Sequence, residues 1–296
     1  MEKFNMTTET RNQKSLNLDL MNTKEILTLI NSEDKTVPEA IEKVIPEIEK
    51  AVIEVIKTFQ NNGRLIYLGA GTSGRLGVLD AVECPPTFGV DSNQVIGLIA
   101  GGEKAFVQAQ EGAEDSEELA IQELTDINLN CNDIVCAIAA SGRTPHAIGG
   151  LKFAKTLGCK TIAIACNKNS KIGSIADIKI EVEVGPEVLT GSTRMKAGTA
   201  QKLILNMIST ASMIGIGKVY ENLMVDLKIT NYKLLERAKK NIIEITGCSY
   251  EIASDILEKA NRNVKTAIVM ILLDCDKDSA LKKLSDSNGF IRNTLK

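Results

Sequence analysis

Short apolar runs punctuate the first two thirds of the chain, at Leu65–Leu68, Val95–Ile99, Ile134–Ala139, Thr161–Cys166 and Ile178–Val184. The first four are near-continuous, which predicts strands buried on both faces. The fifth alternates (Ile178, Ile180, Val182, Val184) and reads as an edge strand. Helical stretches separate most of them, at Gly74–Glu83, about Lys104–Leu124 and Pro145–Leu157, and a long helix spans Lys196–Met213. Upstream, Ile41, Ile48, Val52, Val55 and Phe59 recur at helical spacing over residues 37–61, with a kink expected at Pro46 and a stop at Gly63. Strand–helix alternation with right-handed crossovers gives an α/β fold, an open and mostly parallel sheet covered by helices.

After about Asn241 the pattern changes. Tyr250–Ala260, Val264–Leu273 and Lys277–Leu284 predict three short helices in a compact C-terminal module, with the charged stretch Leu227–Lys240 as its connector. The organisation expected is an N-terminal arm and helix over 1–54, a catalytic domain over 55–218, a connector over 219–240 and the helical module over 241–296. The first dozen residues read as a mobile arm unless a partner subunit captures them.

Composition narrows the partners. A formal net charge of -3 and the absence of tryptophan leave neither a basic field nor a stacking platform, so no nucleic acid is expected. The N-terminus lacks the apolar core of a signal peptide, and no apolar run approaches the roughly 20 residues of a membrane span. The 7 cysteines are scattered without a C-x-x-C pair, which fits reduced thiols in a cytoplasmic protein. Cys84 reads as a packing residue. No cluster has metal-ligand spacing, and neither metal nor cofactor is implied.

Three loops carry the candidate chemistry. Gly69-Ala70-Gly71-Thr72-Ser73-Gly74-Arg75 follows the first strand, Ser141-Gly142-Arg143-Thr144-Pro145 the third, and Thr190-Gly191-Ser192-Thr193-Arg194-Met195-Lys196 the fifth. Each joins glycine to hydroxyls and a basic residue just before a helix, and a helix N-terminus with its free N–H groups suits an anion. The recurrence points to a phosphate or phosphosugar. The first loop also satisfies G-x-G-x-x-G, but the second strand ends Ala100-Gly101-Gly102 without the carboxylate a nicotinamide ribose needs. Glu83, before Cys84-Pro85-Pro86, ends the first of these helices, and Glu114 lies in an acidic stretch after Gln110. His146 reads as a helix-start surface residue rather than a catalytic one.

The blocks LIYLGAGTSGRLGVLDAVECPPTFG (65–89), IAASGRTPHAIGGLKFAKTLGC (138–159) and LTGSTRMKAGTAQKLILNMIST (189–210) resemble the signatures of N-acetylmuramic acid 6-phosphate etherases. TETRN (8–12), EGAEDS (111–116) and NGFIR (288–292) fit the same family, so the resemblance spans essentially the whole chain. It implies the sugar isomerase (SIS) fold, a five-stranded parallel sheet flanked by helices, with a ubiquitin-associated-like (UBA-like) three-helix module at the C-terminus. It also implies a cytoplasmic homodimer that needs no metal or cofactor. Carried over position by position, Glu83 is the proton donor and Glu114 the base. Gly71, Thr72, Ser73, Ser141, Gly142, Arg143, Thr144, Ser192, Thr193 and Lys196 hold the phosphate and sugar.

The implied reaction removes the C2 proton of the open-chain sugar and expels D-lactate from C3. Water then adds to give N-acetylglucosamine 6-phosphate. The two carboxyls need different surroundings, with burial or a neighbouring charge expected around Glu83. Two alternatives remain open: a non-catalytic phosphosugar-binding regulator, as in the related glucokinase regulatory proteins, and an aldose–ketose phosphosugar isomerase.

Overall fold

The apolar runs at the centre of the chain assemble into one sheet in the computed structural model, which describes residues 6–108 and 110–296. Helices α1 (Thr23–Asp34), α2 (Thr36–Glu42) and α3 (Ile45–Gln60) precede it. Strand β1 (Leu65–Gly69) leads to α4 (Gly71–Phe88), and β2 (Val95–Ile99) to α5 (Gly102–Val107) and α6 (Glu117–Asp126). Strand β3 (Ile134–Ile138) leads to α7 (Pro145–Thr156), β4 (Lys160–Ala165) to α8 (Lys171–Ile175), and β5 (Ile178–Glu181) to α9 (Lys196–Gly215). Among the described residues this sheet has five strands in the order β2-β1-β3-β4-β5, and every neighbouring pair is parallel.

The strand expectations hold, with one exception. β1 and β3 are buried along their whole length and β5 lies at an edge. β2 is the other edge, and its middle residues are only half-buried, although its run is as apolar as those of the central strands. At the N-terminal ends of β1 and β3, Arg64 Nη2 donates to Asp133 Oδ2 at 2.6 Å, and the Arg64 N–H reaches Oδ1 at 3.0 Å.

Several helix limits differ from the sequence pattern. Pro46 does not kink one long helix. It sits in the first turn of α3, where its missing N–H has no acceptor to lose, and a separate α2 ends at Glu42. Pro85 and Pro86 do not end α4, which continues to Phe88; they forgo two i→i−4 hydrogen bonds near its end, and the Gly89 N–H still reaches Pro85 O at 3.0 Å. The helix expected over Lys104–Leu124 is broken. Gly112, at φ 77°, ends that path, a single 3-10 turn covers Ala113–Asp115, and Ser116 caps α6 by accepting from the Leu119 N–H.

The described chain divides into two compact units. One comprises the chain up to Ala81 together with Asn93–Ser209, and the other Val82–Ser92 with Thr210–Lys296. The second unit holds a short ribbon, β6 (Val219–Tyr220) with β7 (Leu223–Met224), and helices α10 (Tyr232–Thr246), α11 (Tyr250–Lys259), α12 (Val264–Leu272), α13 (Lys277–Asp286) and α14 (Ile291–Thr294). α11, α12 and α13 fall on the three stretches expected. Ala238 and Ile242 of α10 and Ile291 of α14 join Leu257, Ile268 and Leu284 in the same core. No helix among the described residues is long and apolar enough to cross a membrane.

Candidate active site

In the order β2-β1-β3-β4-β5, successive connections leave β1 in opposite directions, and the crevice of such a sheet opens beyond the carboxyl ends of β1 and β3. Both strands end there in hydroxyl-rich loops. α4 begins three residues earlier than the pattern suggested, so Gly71, Thr72 and Ser73 form its first turn. Their N–H groups have no acceptor within the helix. Gly71 adopts φ 53°, and nothing stands within 4 Å of where a Cβ would be, so the backbone faces open space. Gly74 serves packing instead, since a Cβ there would lie 2.5 Å from Gly69 O. Ser73 is buried and its hydroxyl donates to Gln201 Oε1 at 3.0 Å. Gln201 Nε2 is itself buried and lacks a hydrogen-bond partner among the described residues.

Glu114 faces this first turn. It sits on the 3-10 turn Ala113–Asp115, exposed, and lines a cavity of about 290 Å³ with Ala70, Gly71, Arg75, Gln110 and Gly112. That volume is at the small end of ligand pockets, which run to roughly 300–1,000 Å³. Arg75 braces the wall: Nε donates to Phe106 O at 2.8 Å and Nη2 to Ala105 O at 2.7 Å, at the C-terminal end of α5.

The second loop leads into α7. Ser141 Oγ accepts the Arg143 N–H at 3.2 Å, Gly142 adopts φ 68°, and Thr144 occupies the N-cap without a side-chain cap bond, with Pro145 in the first turn. The N-terminus of α7 is therefore not capped from within. His146 is not on the surface, as its helix-start position suggested; its ring is fully buried and Nε2 lies 2.7 Å from Glu123 Oε2. Glu123 Oε1 accepts the Gly101 N–H at 3.2 Å, so one carboxylate joins the start of α7 to the turn after β2.

The third loop differs in kind. Buried Glu187 accepts the N–H groups of Lys196 and Ala197, each at 2.9 Å, so the N-terminus of α9 already holds an internal anion. Burial raises the Glu187 pKa, and those two N–H groups with the Lys196 charge oppose the rise. The Lys196 ammonium is also engaged within the protein. It donates to Glu33 Oε2 at 2.8 Å inside the protein, with both side chains almost wholly buried. Ser192 and Thr193 remain partly exposed on the loop before them.

Glu83 lies one turn beyond Asp80 on α4 and belongs to the second unit, where its side chain is exposed. The burial expected around it is not supplied. Its helix is held through Asp80, which is buried and accepts from Tyr67 Oη at 3.0 Å, Asn206 Nδ2 at 2.6 Å and Ser209 Oγ at 3.1 Å. Cys84 beside it is buried, as a packing residue should be. Sequence reasoning did not single out Glu33, Asp80, Glu123, Asn167 or Glu187. Their partners stand up to 163 residues away, and no local spacing marks them.

Known proteins match this architecture. Residues 47–155 match the glucokinase regulatory protein N-terminal SIS domain, and residues 114–211 match the SIS domain. A phosphoheptose isomerase from Francisella tularensis superposes over 66% of this chain and 100% of its own, with a TM-score of 0.50 at 16% identity, a likeness of fold alone. Curated N-acetylmuramic acid 6-phosphate etherases of Bacillus cereus and Bacillus mycoides are each 62% identical over 291 residues, covering 98% of this chain and 99% of theirs. At that identity, from end to end, the chain belongs to the N-acetylmuramic acid 6-phosphate etherase family.

Proposed function

We propose that this protein is a lyase that cleaves the D-lactyl ether of N-acetylmuramic acid 6-phosphate, yielding N-acetylglucosamine 6-phosphate and D-lactate. One observation carries the reading above others: 62% identity over 98% of the chain with relatives whose name specifies that substrate and bond.

In this reading the phosphate and sugar sit against the first turn of α4 and the uncapped start of α7, held by Gly71, Thr72, Ser73, Ser141, Gly142, Arg143 and Thr144. Ser192 and Thr193 complete the pocket. Lys196, paired with Glu33, stands at the end of the third loop beside them. Glu114 removes the C2 proton, which the C1 aldehyde of the open-chain sugar acidifies. The electron pair left at C2 forms a C2–C3 double bond as the C3–O bond breaks, and Glu83 delivers its proton to the departing lactyl oxygen. Water then adds at C3 and a proton returns to C2, so the net reaction is hydrolysis of the ether. General acid and general base help of this kind is each worth roughly 10²–10⁴ in rate.

The protein acts in the cytoplasm as a homodimer. Ile45 and Ile53 on α3 and Met207 on α9 are exposed apolar side chains that a second copy would cover. Cys136, Cys159 and Cys166 are buried thiols in no disulfide, in keeping with a reducing compartment. Light scattering should report about twice the monomer mass.

The first experiment is incubation with N-acetylmuramic acid 6-phosphate and an enzymatic assay for D-lactate. Release of lactate with N-acetylglucosamine 6-phosphate is expected. Binding without turnover would identify a phosphosugar-binding regulator, and formation of a ketose without lactate an isomerase.

A further inference from the structure

A mobile arm was expected over the first dozen residues; residues 1–5 lie outside the described residues, and from Met6 the rest of that stretch is docked on its own chain. Thr8 and Asn12 are buried, whereas Glu9, Thr10 and Arg11 between them are exposed. Both anchors end at the hydroxyl loops. The Thr8 N–H donates to Asn167 Oδ1 at 3.3 Å, and Asn167 Nδ2 donates to Thr8 Oγ1 and to Ala140 O, each at 3.0 Å. Ala140 immediately precedes Ser141. Asn12 Nδ2 donates to Pro186 O at 3.3 Å, just before the third loop, and to Glu33 Oε2 at 2.9 Å. The same Glu33 oxygen accepts Lys196 Nζ at 2.8 Å, at the far end of that loop. Over the loop's tip, a Cβ on Gly191 would stand 3.7 Å from Glu9 Oε2.

The arm thus spans a gap that the sheet leaves. The second and third loops follow β3 and β5, which are not neighbours, because β4 lies between them. Asn167, just beyond β4, and Glu33, on α1, are the posts to which the arm is fastened. The anchors themselves are polar. The five residues Thr8-Glu9-Thr10-Arg11-Asn12 contain no hydrophobic side chain, and ordering a polar segment costs conformational entropy that its few hydrogen bonds must offset.

We propose that Thr8–Asn12 is a positioning strap that holds the second and third hydroxyl loops in the register that binds the sugar phosphate. The strap rests on the assignment of those loops to the substrate. It touches no reacting atom, so its loss acts on binding and leaves the chemical step largely intact. By linkage the effect is reciprocal: an arm that favours the ligand when docked is itself held down by the ligand.

Two measurements on the full-length protein test this. Asn12→Leu keeps the branched shape and removes both anchoring hydrogen bonds, together with the local one from the Lys14 N–H, and Thr8→Val removes the acceptor for Asn167 while keeping the shape. Each should raise KM by roughly tenfold with kcat within about threefold, for the loss of one or two anchors. Thr8→Ser, which keeps the hydroxyl, should stay near wild type. Melting curves identify any variant that fails to fold, and wild-type protein supplies the second measurement. Tryptic cleavage after exposed Arg11, followed by mass spectrometry, should slow at least severalfold with saturating N-acetylglucosamine 6-phosphate. A wild type that turns substrate over, with unchanged KM in the folded variants and no protection at Arg11, overturns the strap alone. A wild type that neither binds nor cleaves the sugar phosphate overturns the assignment of the loops, and the strap with it.

Discussion

Glu123 Oε2 lies 2.7 Å from His146 Nε2, and its other oxygen accepts the Gly101 N–H at 3.2 Å. One carboxylate therefore fixes two parts of the site. Gly101 packs against the Gln110 side chain, at the edge of the cavity that Glu114 lines, and His146 opens α7 behind Ser141 and Thr144. Among the described residues His146 Nδ1 has no partner, so this contact is the one hydrogen bond of a fully buried ring.

Glu123→Ala should therefore affect both stability and rate. It strands a buried imidazole nitrogen, at a cost of about 1–3 kcal/mol, readable in urea denaturation. It also frees the turn beside Glu114, and a displacement of about 1 Å at a reacting group can cost roughly 10²-fold. Glu123→Gln keeps an acceptor for one of the two partners and should lose less on both measures. Equal stability and equal kcat in Glu123→Ala would show that the contact positions nothing.

The hydroxyls of the first two loops should separate in their effects. Ser141 is partly exposed and accepts a backbone N–H, so Ser141→Ala should mainly weaken affinity for the sugar phosphate. A hydrogen bond to a charged group is worth about 1.5–3 kcal/mol, roughly tenfold to 150-fold in Kd. Ser73 is buried and bonded to Gln201, so Ser73→Ala should lower stability as well as affinity. Calorimetric titration with N-acetylglucosamine 6-phosphate and denaturant melts of each variant distinguish the two patterns.

Acid should loosen the base of the strap. Burial opposes ionisation of Glu33, but hydrogen bonds from Lys14, Lys196 and Asn12 together with the Lys196 charge outweigh it and hold the carboxyl at about 2, against 4.5 ordinarily. The folded state thus binds this proton more weakly than the unfolded chain does. The resulting stabilisation is fully present above 4.5 and is lost as pH falls toward about 2, a total of about 3 kcal/mol. Glu187 works in the opposite sense, because burial raises it. Stability measured from pH 6 down to about 2 should fall less steeply in Glu33→Gln than in the wild type. Parallel curves would remove Glu33 from the acid response.

The features legible in the sequence were those that repeat locally. The sheet was visible because runs such as Ile134–Ile138 are apolar residue after residue, as burial on both faces requires. The hydroxyl loops were visible because glycine, serine and threonine mark turns and caps in one short stretch. What was missed depends on contacts distant in sequence. The break between α5 and α6 is the local exception: α5 stops at Val107 with an extended Gln108, and Gly112 and the Ser116 cap follow within an otherwise helical pattern. The burial of His146 depends on Glu123, and the engagement of Lys196 on Glu33, 163 residues away. The docked arm was the largest difference, since polar residues 8–12 carry no periodicity and declare their anchors only once Asn167 and Glu33 are in place.

The last prediction divides the two glutamates by the order of bond changes. Removing the C2 proton needs a base and the aldehyde, whereas breaking the C3–O bond also needs an acid. With Glu83 as the acid, Glu83→Gln should abolish lactate release yet still exchange the C2 hydrogen with deuterated water. Glutamine keeps the shape but cannot deliver the proton, so the carbanion-like species forms and returns. With Glu114 as the base, Glu114→Gln should lose exchange and cleavage together, since nothing starts the reaction. Loss of either role corresponds to roughly 10²–10⁴ in rate. Proton NMR of the substrate C2 signal in deuterium oxide reads both outcomes at once. Exchange that survives in Glu114→Gln but vanishes in Glu83→Gln would reverse the assignment. Exchange and cleavage that both survive in one variant would remove that residue from the mechanism, because an elimination at C2 and C3 cannot proceed at full rate without its acid or its base.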